Sequence, residues 1–310
     1  MEQCTNSILM ISPVGFRYNE QTATNNYYQH VLENLSLEQV QENALHEFDN
    51  FVAVLKSAGL NVIVFEDTKT PSTPDSIFPN NWVSFHADGR VVLYPMFAKN
   101  RRVERRADIL ESLVNDYGFL VKEVVDYSTI ENKEVYLEGT GSMVLDRTNK
   151  LCYASISERT HKVAIDQFCK DFEYQPVPFT AYQTVEGERV PMYHTNVMMC
   201  VSDLFAVVCL DAIDTPEERI ALTESLQETG KDIIEISEKQ TSRFAGNMLQ
   251  VNGESPCVVM STSAFQSLSE LQIANIEKHG RILHSSLDTI EACGGGSARC
   301  LMAEVFLPTA

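Results

Sequence analysis

The sequence contains no apolar run long enough to cross a bilayer, and its N-terminal segment lacks the basic start of a secretory signal peptide. We therefore expect a soluble, cytoplasmic protein with no membrane partner. Basic residues are also scarce, because 24 Lys and Arg stand against 43 Asp and Glu and give a formal net charge of −19. Nucleic acids are held by clustered Lys and Arg. The one dense basic run, at residues 101–106, is short and interrupted by Glu104, so we expect no nucleic-acid partner.

The cysteines lack the C-x-x-C spacing that is typical of zinc sites, although the chain has eight of them. A chain of 310 residues with 44% apolar content can build a sizeable core without disulfides. Most of the cysteines lie in apolar, strand-like segments of the sequence, where a thiol behaves as a small hydrophobic group. We expect seven of them to be reduced thiols in or near the core. Cys300 is the exception, because a glycine-rich loop precedes it.

Five stretches have apolar residues at three- and four-residue steps, which is typical of amphipathic helices. Four of them cover roughly residues 36–58, 103–117, 160–171 and 264–279. The remaining one opens with Thr215 as N-cap and a proline at the first helical position. Four of the five end at a glycine that is followed by a β-like run, at Gly59, Gly118, Gly230 and Gly280. We expect these glycines to take the left-handed position after a helix.

The helix-to-strand junctions recur at intervals of roughly 50 to 60 residues, a period that is typical of a radial or stacked repeat. An ordinary α/β protein with evenly spaced helices is the alternative that periodicity leaves open. No linker or low-complexity tract divides the chain. We therefore expect an α/β protein with a single domain over residues 1–310.

The strongest local signal for chemistry is the segment CGGGSARC at residues 293–300. Three adjacent glycines are useful where the main chain must turn sharply or approach a ligand. A cysteine at the end of such a loop, beside Arg299, could be held exposed with its thiolate stabilised. The structural alternative is a flexible turn followed by a buried cysteine that opens a strand.

A thiol nucleophile needs a base and a group that orients the base. His194 precedes a strand-like run, although a lone histidine is more often structural than catalytic. Glu138 lies between apolar residues and a glycine turn, where it could hold an imidazole in one tautomer. Asp75, in a proline-bounded loop, could accept hydrogen bonds from an N–H-rich ligand, and a turn-forming aspartate is its alternative reading.

Taken together, these segments resemble the guanidino-group-modifying (amidinotransferase, or pentein) superfamily, which includes arginine deiminase and dimethylarginine dimethylaminohydrolase. The match is ordered along the chain and covers residues 75–300. Its motifs are PDSIFPNN, NRRVE, LEGTG, SERT, YHTN and GGGSARC. Within the superfamily, the chain looks most similar to the citrulline-utilisation hydrolases.

The resemblance implies a five-bladed α/β propeller of ββαβ repeats around a pseudo-fivefold axis. It also implies that Cys300 is the nucleophile, His194 the general acid and base, and Glu138 its orienting partner. Asp75 would hold the terminal nitrogens of a small amino-acid substrate, while Arg101 and Arg159 would bind its α-carboxylate. No metal or organic cofactor is implied, and a homodimer is possible.

The sequence departs from arginine deiminases at two positions. Asn81, preceded by Asn80, stands where they carry an aspartate, and Asn196 stands where they carry another. An amide can donate to and accept from a neutral urea, whereas a buried carboxylate needs a charged partner. We therefore expect a ureido substrate such as citrulline, hydrolysed to ornithine, carbon dioxide and ammonia, with Asn80, Asn81 and Asn196 as substrate contacts.

Other functions remain open. A deiminase or dimethylargininase would act on a guanidino substrate through the same residues, and an amidinotransferase would pass the adduct to an amine. An unrelated thiol amidase or peptidase would leave the GGG loop and the two arginines unexplained. A propeller can also be a non-catalytic binding module, a role that suits a chain without the cysteine.

Overall fold

A computed structural model of the protein describes residues 2–309 and shows an α/β fold built from small sheets. Its strands are β1 Ser7–Ser12, β2 Asn61–Glu66, β3 Val83–Phe85, β4 Arg90–Leu93, β5 Glu123–Asp126, β6 Val144–Asp146, β7 Leu151–Ser155, β8 Gln175–Phe179, β9 Tyr182–Val185, β10 Glu188–Pro191, β11 Met199–Val201, β12 Phe205–Val208, β13 Asp232–Glu235, β14 Leu249–Asn252, β15 Pro256–Ser261, β16 Arg281–Ser285 and β17 Ala303–Glu304. The β-like runs that follow Gly59, Gly118, Gly230 and Gly280 each contain a strand.

The helices connect these strands. They are α1 Leu37–Ser57, α2 Ala107–Asn115, α3 Gly139–Ser142, α4 Lys162–Phe172, α5 Pro216–Glu228, α6 Glu238–Thr241, α7 Thr262–Ser267, α8 Glu270–Glu277 and α9 Asp288–Gly294. Short 3₁₀ helices lie at Pro79–Asn81, Lys99–Glu104, Ser128–Lys133, Thr195–Val197 and Leu210–Ala212. No helix within residues 2–309 is both long and apolar enough to span a membrane.

Five three-stranded sheets share one topology. In each, the first two strands are antiparallel and the last two are parallel, with one or two helices in the parallel crossover. The sheets are β3-β4-β5, β6-β7-β8, β11-β12-β13, β14-β15-β16 and β17-β1-β2. The last sheet combines the two ends of the chain, since Ile8 pairs with Glu304. A separate hairpin, β9-β10, was not predicted, and no sheet formed by residues 2–309 closes on itself.

The first helix shows why the sequence folds as it does. Ser36 caps α1 by accepting from Gln39 N, and Gln39 Oε1 accepts from Ser36 N in return, which satisfies free N–H groups at the helix start. Val40, Phe48 and Leu55 form the apolar side of α1 and are buried in a core cluster with strands of two sheets. The amphipathic pattern read from the sequence therefore places this helix against the core.

Two of the expected helices differ from the structure. The second helix starts at Ala107 and not Val103, because Arg105 is extended and its guanidinium pairs with Glu131 at 2.9 Å. The fifth is two helices, α7 and α8, because Ser269 caps a new helix after the extended residue Leu268. Thr215 precedes α5 as expected, but its side chain makes no capping hydrogen bond.

The glycines expected after helices behave in two ways. Gly59, Gly118 and Gly230 have φ of 84°, 72° and 72°, in the left-handed region as expected. Gly280 does not, and its role is close packing, since a Cβ there would lie 2.8 Å from Pro256 O. After α4, where glycine is lacking, the exposed Glu173 takes the left-handed position with φ of 58°.

Candidate active site

The GGGSARC loop is tied to the helix that precedes it. The helix α9 ends at Gly294, and Ser297 Oγ donates back to Glu291 Oε1 at 2.5 Å. Cys300 N then donates to Ser297 O at 3.0 Å, which closes the turn. Gly296 is required by close packing, because a Cβ there would lie 2.9 Å from the Phe78 ring and 3.3 Å from Cys300 Cβ. The glycines thus allow the loop to pack against the segment PDSIFPNN.

The expectation of an exposed Cys300 beside a stabilising Arg299 was wrong. All eight cysteines are unpaired and buried, and Cys300 is only 3% exposed. The Arg299 guanidinium points away, donating to Met302 O at 2.8 Å and to Glu304 at 2.9 Å. The polar neighbours of Cys300 Sγ are instead two amide groups, Asn247 Nδ2 at 3.2 Å and Asn196 Nδ2 at 3.5 Å.

His194 and Glu138 form a buried pair, as the resemblance implied. His194 Nε2 lies 2.8 Å from Glu138 Oε2, and Phe97 N donates to the other carboxylate oxygen at 2.9 Å. His194 immediately precedes the 3₁₀ helix Thr195–Val197, which is fixed because Ser155 N donates to Thr195 Oγ1 at 2.8 Å. With Nε2 bound to the carboxylate, Nδ1 is the ring nitrogen that remains for proton exchange with a substrate.

Burial and charge set the protonation of this pair. Burial alone would raise the pKa of Glu138, but the Arg159 guanidinium and the hydrogen bond to His194 outweigh it and lower that pKa to about 2. Burial lowers the pKa of His194 to about 4, although Glu138 opposes this shift. At neutral pH the carboxylate is therefore charged and the imidazole is neutral.

Asp75 presents one unused acceptor. Its Oδ2 accepts from Asn19 Nδ2 at 2.7 Å and from Thr22 Oγ1 at 2.9 Å, while its Oδ1 is buried and has no hydrogen-bond partner within residues 2–309. Burial raises the pKa of Asp75, and the guanidinium of Arg101 partly offsets this effect. Buried acceptors are rarely left unpaired. Oδ1 is therefore the atom that a ligand N–H would satisfy.

The three asparagines have different placements. Asn81 lines the cavity described below, where its Oδ1 accepts from Arg101 Nη1 at 2.7 Å and its Nδ2 donates to Asn80 Oδ1 at 2.9 Å. Asn80 contacts Asn81 and does not line this cavity. Asn196 lies beside Cys300 Sγ and lines a second cavity behind it. Of the three, only Asn81 faces the cavity that contains the other candidate residues.

The two arginines are both buried but are engaged to different degrees. Arg101 forms an ion pair with Glu104 at 2.9 Å and also donates to the Asp75 and Phe78 carbonyls, so most of its N–H groups are used internally. Arg159 Nε donates to Asn25 Oδ1 at 2.8 Å, and its Nη1 lies 3.5 Å from Glu138 Oε2. Arg159 Nη2 also donates to Thr22 O at 2.7 Å, so Nη1 is the nitrogen of Arg159 that retains capacity for a ligand.

These side chains meet around one small polar cavity. It is lined by Asn26, Asp75, Phe78, Asn81, Arg101, Arg159, Tyr193, His194, Gly294, Gly296 and Cys300. Residues from both ends of the chain and from its middle thus converge, although they are distant in sequence. Cys300 is buried, but it faces this polar space and is not enclosed by apolar side chains alone.

The sequence reasoning missed the segment that covers the cavity. Asn19 and Thr22 bind Asp75, Asn25 binds Arg159, and Gln29 Nε2 donates to Cys293 O at 2.9 Å. The only signal was an unusually polar run, TATNNYYQ, in a stretch without regular periodicity. Asn247 was missed as well, because it is the first residue of the strand-like segment NMLQV and has no feature of its own that indicates a site.

Comparison with known proteins identifies the family. The sequence model of the family described as "N,N dimethylarginine dimethylhydrolase, eukaryotic" matches residues 12–307. The chain thus belongs to the pentein superfamily of guanidino-modifying enzymes. Within it, the chain is a member of the dimethylarginine hydrolase-type family. No curated protein is significantly similar to it in sequence.

Solved structures show the same fold. ArgZ, described as an arginine dihydrolase from the ornithine–ammonia cycle in cyanobacteria, matches with a TM-score of 0.72 and 18% identity, over 98% of this chain and 41% of ArgZ. This chain thus spans less than half of the ArgZ chain. Unliganded AgrE gives a TM-score of 0.71 with 19% identity, over 98% of this chain and 40% of AgrE. A dimethylarginine dimethylaminohydrolase adduct with S-methyl-L-thiocitrulline gives 0.66 with 15% identity, over 97% of this chain and 99% of that one.

Proposed function

We propose that this protein is a hydrolase that breaks a C–N bond of a ureido amino acid through a covalent adduct on Cys300. Citrulline is the proposed substrate, and ornithine, carbon dioxide and ammonia are the products. The observation that carries the proposal is the cavity at which Cys300, the His194–Glu138 pair and the free Asp75 Oδ1 meet. Family membership supports it, as do the similar structures, which include an arginine dihydrolase and an ArgZ domain covalently bound to a reaction intermediate.

In the proposed reaction, Cys300 Sγ attacks the planar ureido carbon while Asp75 Oδ1 accepts a hydrogen bond from a terminal N–H. His194 is neutral before the reaction, so it first takes up the thiol proton and then gives it to the departing δ-amine of ornithine. An S-carbamoyl adduct remains on Cys300. His194 next deprotonates a water that attacks this adduct, and the released carbamate decomposes to carbon dioxide and ammonia. One water is consumed per citrulline.

The charges around the cavity favour a neutral reacting group. Arg101 and Arg159 both line it, whereas Asp75 is the one carboxylate among its lining residues. Asn81 adds an amide where a second carboxylate would be needed to neutralise a guanidinium. A citrulline side chain fits this balance, and we propose that Arg159 binds its α-carboxylate. Arginine or methylarginines are the second candidate substrates, because the matching family is named for a methylated arginine.

We also infer that the five sheets are the blades of a propeller and that residues 1–310 form one domain. The identical topology of the sheets supports this, as does the sheet that joins both ends of the chain. In such a propeller the loops at one end of the axis would bring residues 75, 138, 194 and 300 together. That convergence is the one needed for the proposed reaction.

A substrate panel tests the function. Citrulline, arginine, agmatine and methylarginines are incubated with the wild type, with Cys300→Ala and with Cys293→Ala, which alters a cysteine of the preceding helix α9 outside the cavity. We expect ornithine from citrulline with the wild type and Cys293→Ala and none with Cys300→Ala. Mass spectrometry of acid-quenched enzyme should find a carbamoyl group on the Cys300 peptide.

Other outcomes would contradict the proposal in distinct ways. Rapid arginine turnover without citrulline turnover would indicate a guanidino hydrolase, and a product that changes on addition of glycine would indicate an amidinotransferase. Peptide cleavage would indicate a thiol peptidase. A folded protein that turns over none of the panel would favour the binding module.

A further inference from the structure

The amide of Asn247 is in direct contact with the nucleophile. Its Nδ2 lies 3.2 Å from Cys300 Sγ and donates to Asn196 O at 2.9 Å, while its Oδ1 accepts from Arg299 N at 3.0 Å. The residue is completely buried. One side chain thus holds the backbone on both sides of the site and points an N–H group at the sulfur.

The orientation of this amide is determined by its neighbours. Arg299 N is a donor and Asn196 O is an acceptor, so exchanging the oxygen and nitrogen of Asn247 would create two unfavourable contacts. Nδ2 must therefore face Sγ. The Asn196 amide is less constrained, because Sγ lies 3.5 Å from its nitrogen and 3.9 Å from its oxygen.

The fold holds Asn247 in place. Asn247 N donates to Phe244 O at 2.9 Å across a turn in which Phe244 has a φ of 61°, which is uncommon for an aromatic residue. A Cβ on Gly246 would lie 2.4 Å from Val197 O, so the turn packs directly on the 3₁₀ helix that follows His194. A strained residue and a close backbone contact thus set the position of one side chain.

We propose that Asn247 is a further catalytic residue, whose amide N–H stabilises the negative charge on Cys300 Sγ. This inference rests on the proposed function, since it takes Cys300 as the nucleophile. Fixed donors in a buried site stabilise developing charge more than water does, and removing one typically costs about 10² to 10³ in rate. The same N–H acts twice, when the thiolate attacks and when it departs from the carbamoyl adduct.

Two substitutions separate charge from shape. Asn247→Asp keeps the shape but replaces the donor with a negative oxygen, whereas Asn247→Ala removes the donor and leaves a space. We expect the rate of Cys300 alkylation by iodoacetamide at pH 7 to fall in the order wild type, Ala, Asp. The Asp variant should be slower than the wild type by at least about tenfold. The rise of its alkylation rate with pH should occur at higher pH than in the wild type.

Peptide-level mass spectrometry reports the alkylation of Cys300 alone. Asn252→Asp, the same change on β14 but remote from the sulfur, is the matched control and should alkylate like the wild type. If the alkylation rate of Asn247→Asp were closer to that of the wild type than the rate of Asn247→Ala, the proposal would be overturned, because only the packing of the side chain would matter. If the Asp variant does not fold, Asn247→Ala decides. The alkylation of this variant should be slower than that of the wild type, and the difference in rate should shrink at high pH. A difference that is absent, or that is constant across pH, would overturn the proposal.

Alkylation needs no substrate, so the two proposals can fail separately. If the alkylation rates fall in the expected order but the wild type does not turn over citrulline, the proposed function is refuted and the role of Asn247 is not. If Asn247→Asp turns over citrulline and is alkylated like the wild type, the role of Asn247 is refuted and the proposed function is not.

Discussion

At the scale of single residues, the site is defined by groups whose charges are set by burial and by neighbouring charges. His194 is fully enclosed and neutral, while Glu138 beside it stays charged because Arg159 and His194 both face it. A neutral imidazole that is held by a carboxylate through one nitrogen can accept a proton at the other. The pair is therefore set to take the thiol proton at the moment of attack.

The depressed pKa of His194 predicts a loss of stability in acid. Its pKa in the folded protein is about 4 against an ordinary 6.5, so its contribution is complete above pH 6.5 and is lost as the pH falls from 6.5 towards 4. Between pH 7 and pH 5 the wild type should lose on the order of 2 kcal/mol more unfolding free energy than His194→Asn. Urea titrations at the two pH values measure this. His46→Asn, on the exposed side of α1, should behave like the wild type, and equal losses in all three proteins would refute the prediction.

Removing the charge of Glu138 should cost activity. In Glu138→Gln the amide no longer fixes the imidazole in one tautomer or stabilises its protonated form, and we expect kcat for citrulline to fall by about 10³-fold or more. Glu131→Gln is the matched control, because Glu131 is also a buried, ion-paired glutamate but pairs with Arg105 outside the cavity. Steady-state kinetics of both variants measure the difference. A kcat for Glu138→Gln close to that of the wild type would show that this carboxylate has no role in catalysis.

The sequence could suggest the identity of these residues but not their surroundings. Cys300, His194 and Glu138 were found because their motifs are ordered along the chain. The failure at Arg299 is instructive, since adjacency in sequence said nothing about where a long side chain points. Asn247 could not be found, because an asparagine before an apolar run has no local feature that indicates a sulfur from residue 300.

At the scale of elements, helix ends offer a direct test of backbone conformation. Glu173 ends α4 in the left-handed region, which costs a residue with a Cβ about 1 kcal/mol or more. Glu173→Gly should therefore raise the unfolding free energy by roughly 0.5 to 1 kcal/mol, even though glycine gains entropy in the unfolded chain. Gly230→Ala, at the exposed end of α5 with φ of 72° and open space around it, should lower it by about 1 kcal/mol. Chemical denaturation compares the two, and equal effects of the same sign would contradict the account.

Element types were more predictable than element ends. The apolar periodicity of α1 and α4 is sustained over several turns and survives in the structure. The break between α7 and α8 depends on one capping box, formed by Ser269 and Gln272, within a segment whose sequence pattern is otherwise helical. The late start of α2 depends on the pairing of Arg105 with Glu131, a contact that no local pattern contains.

At the scale of the whole molecule, the five sheets are topologically equivalent. In four of them the chain runs without interruption from the first strand to the third. In the fifth, the chain ends with the first strand, β17, and begins with the second, β1. The position of the termini is therefore one of five equivalent choices, provided that each sheet is an interchangeable unit.

Circular permutation tests this equivalence. Glu2 and Thr309 line the same surface cavity, so a flexible Gly/Ser linker can join the two ends. New termini between the exposed residues Ala87 and Asp88, in the turn from β3 to β4, would recreate the native arrangement in another sheet. We expect this permutant to unfold cooperatively and to keep Cys300 alkylation near the wild-type rate. New termini between Asp49 and Asn50 would cut α1, whose buried side supports the core, and should give an unfolded chain. If the first permutant failed to fold while retaining the linker, the sheets would not be interchangeable and the β17-β1 pairing would be specific to the ends of the chain.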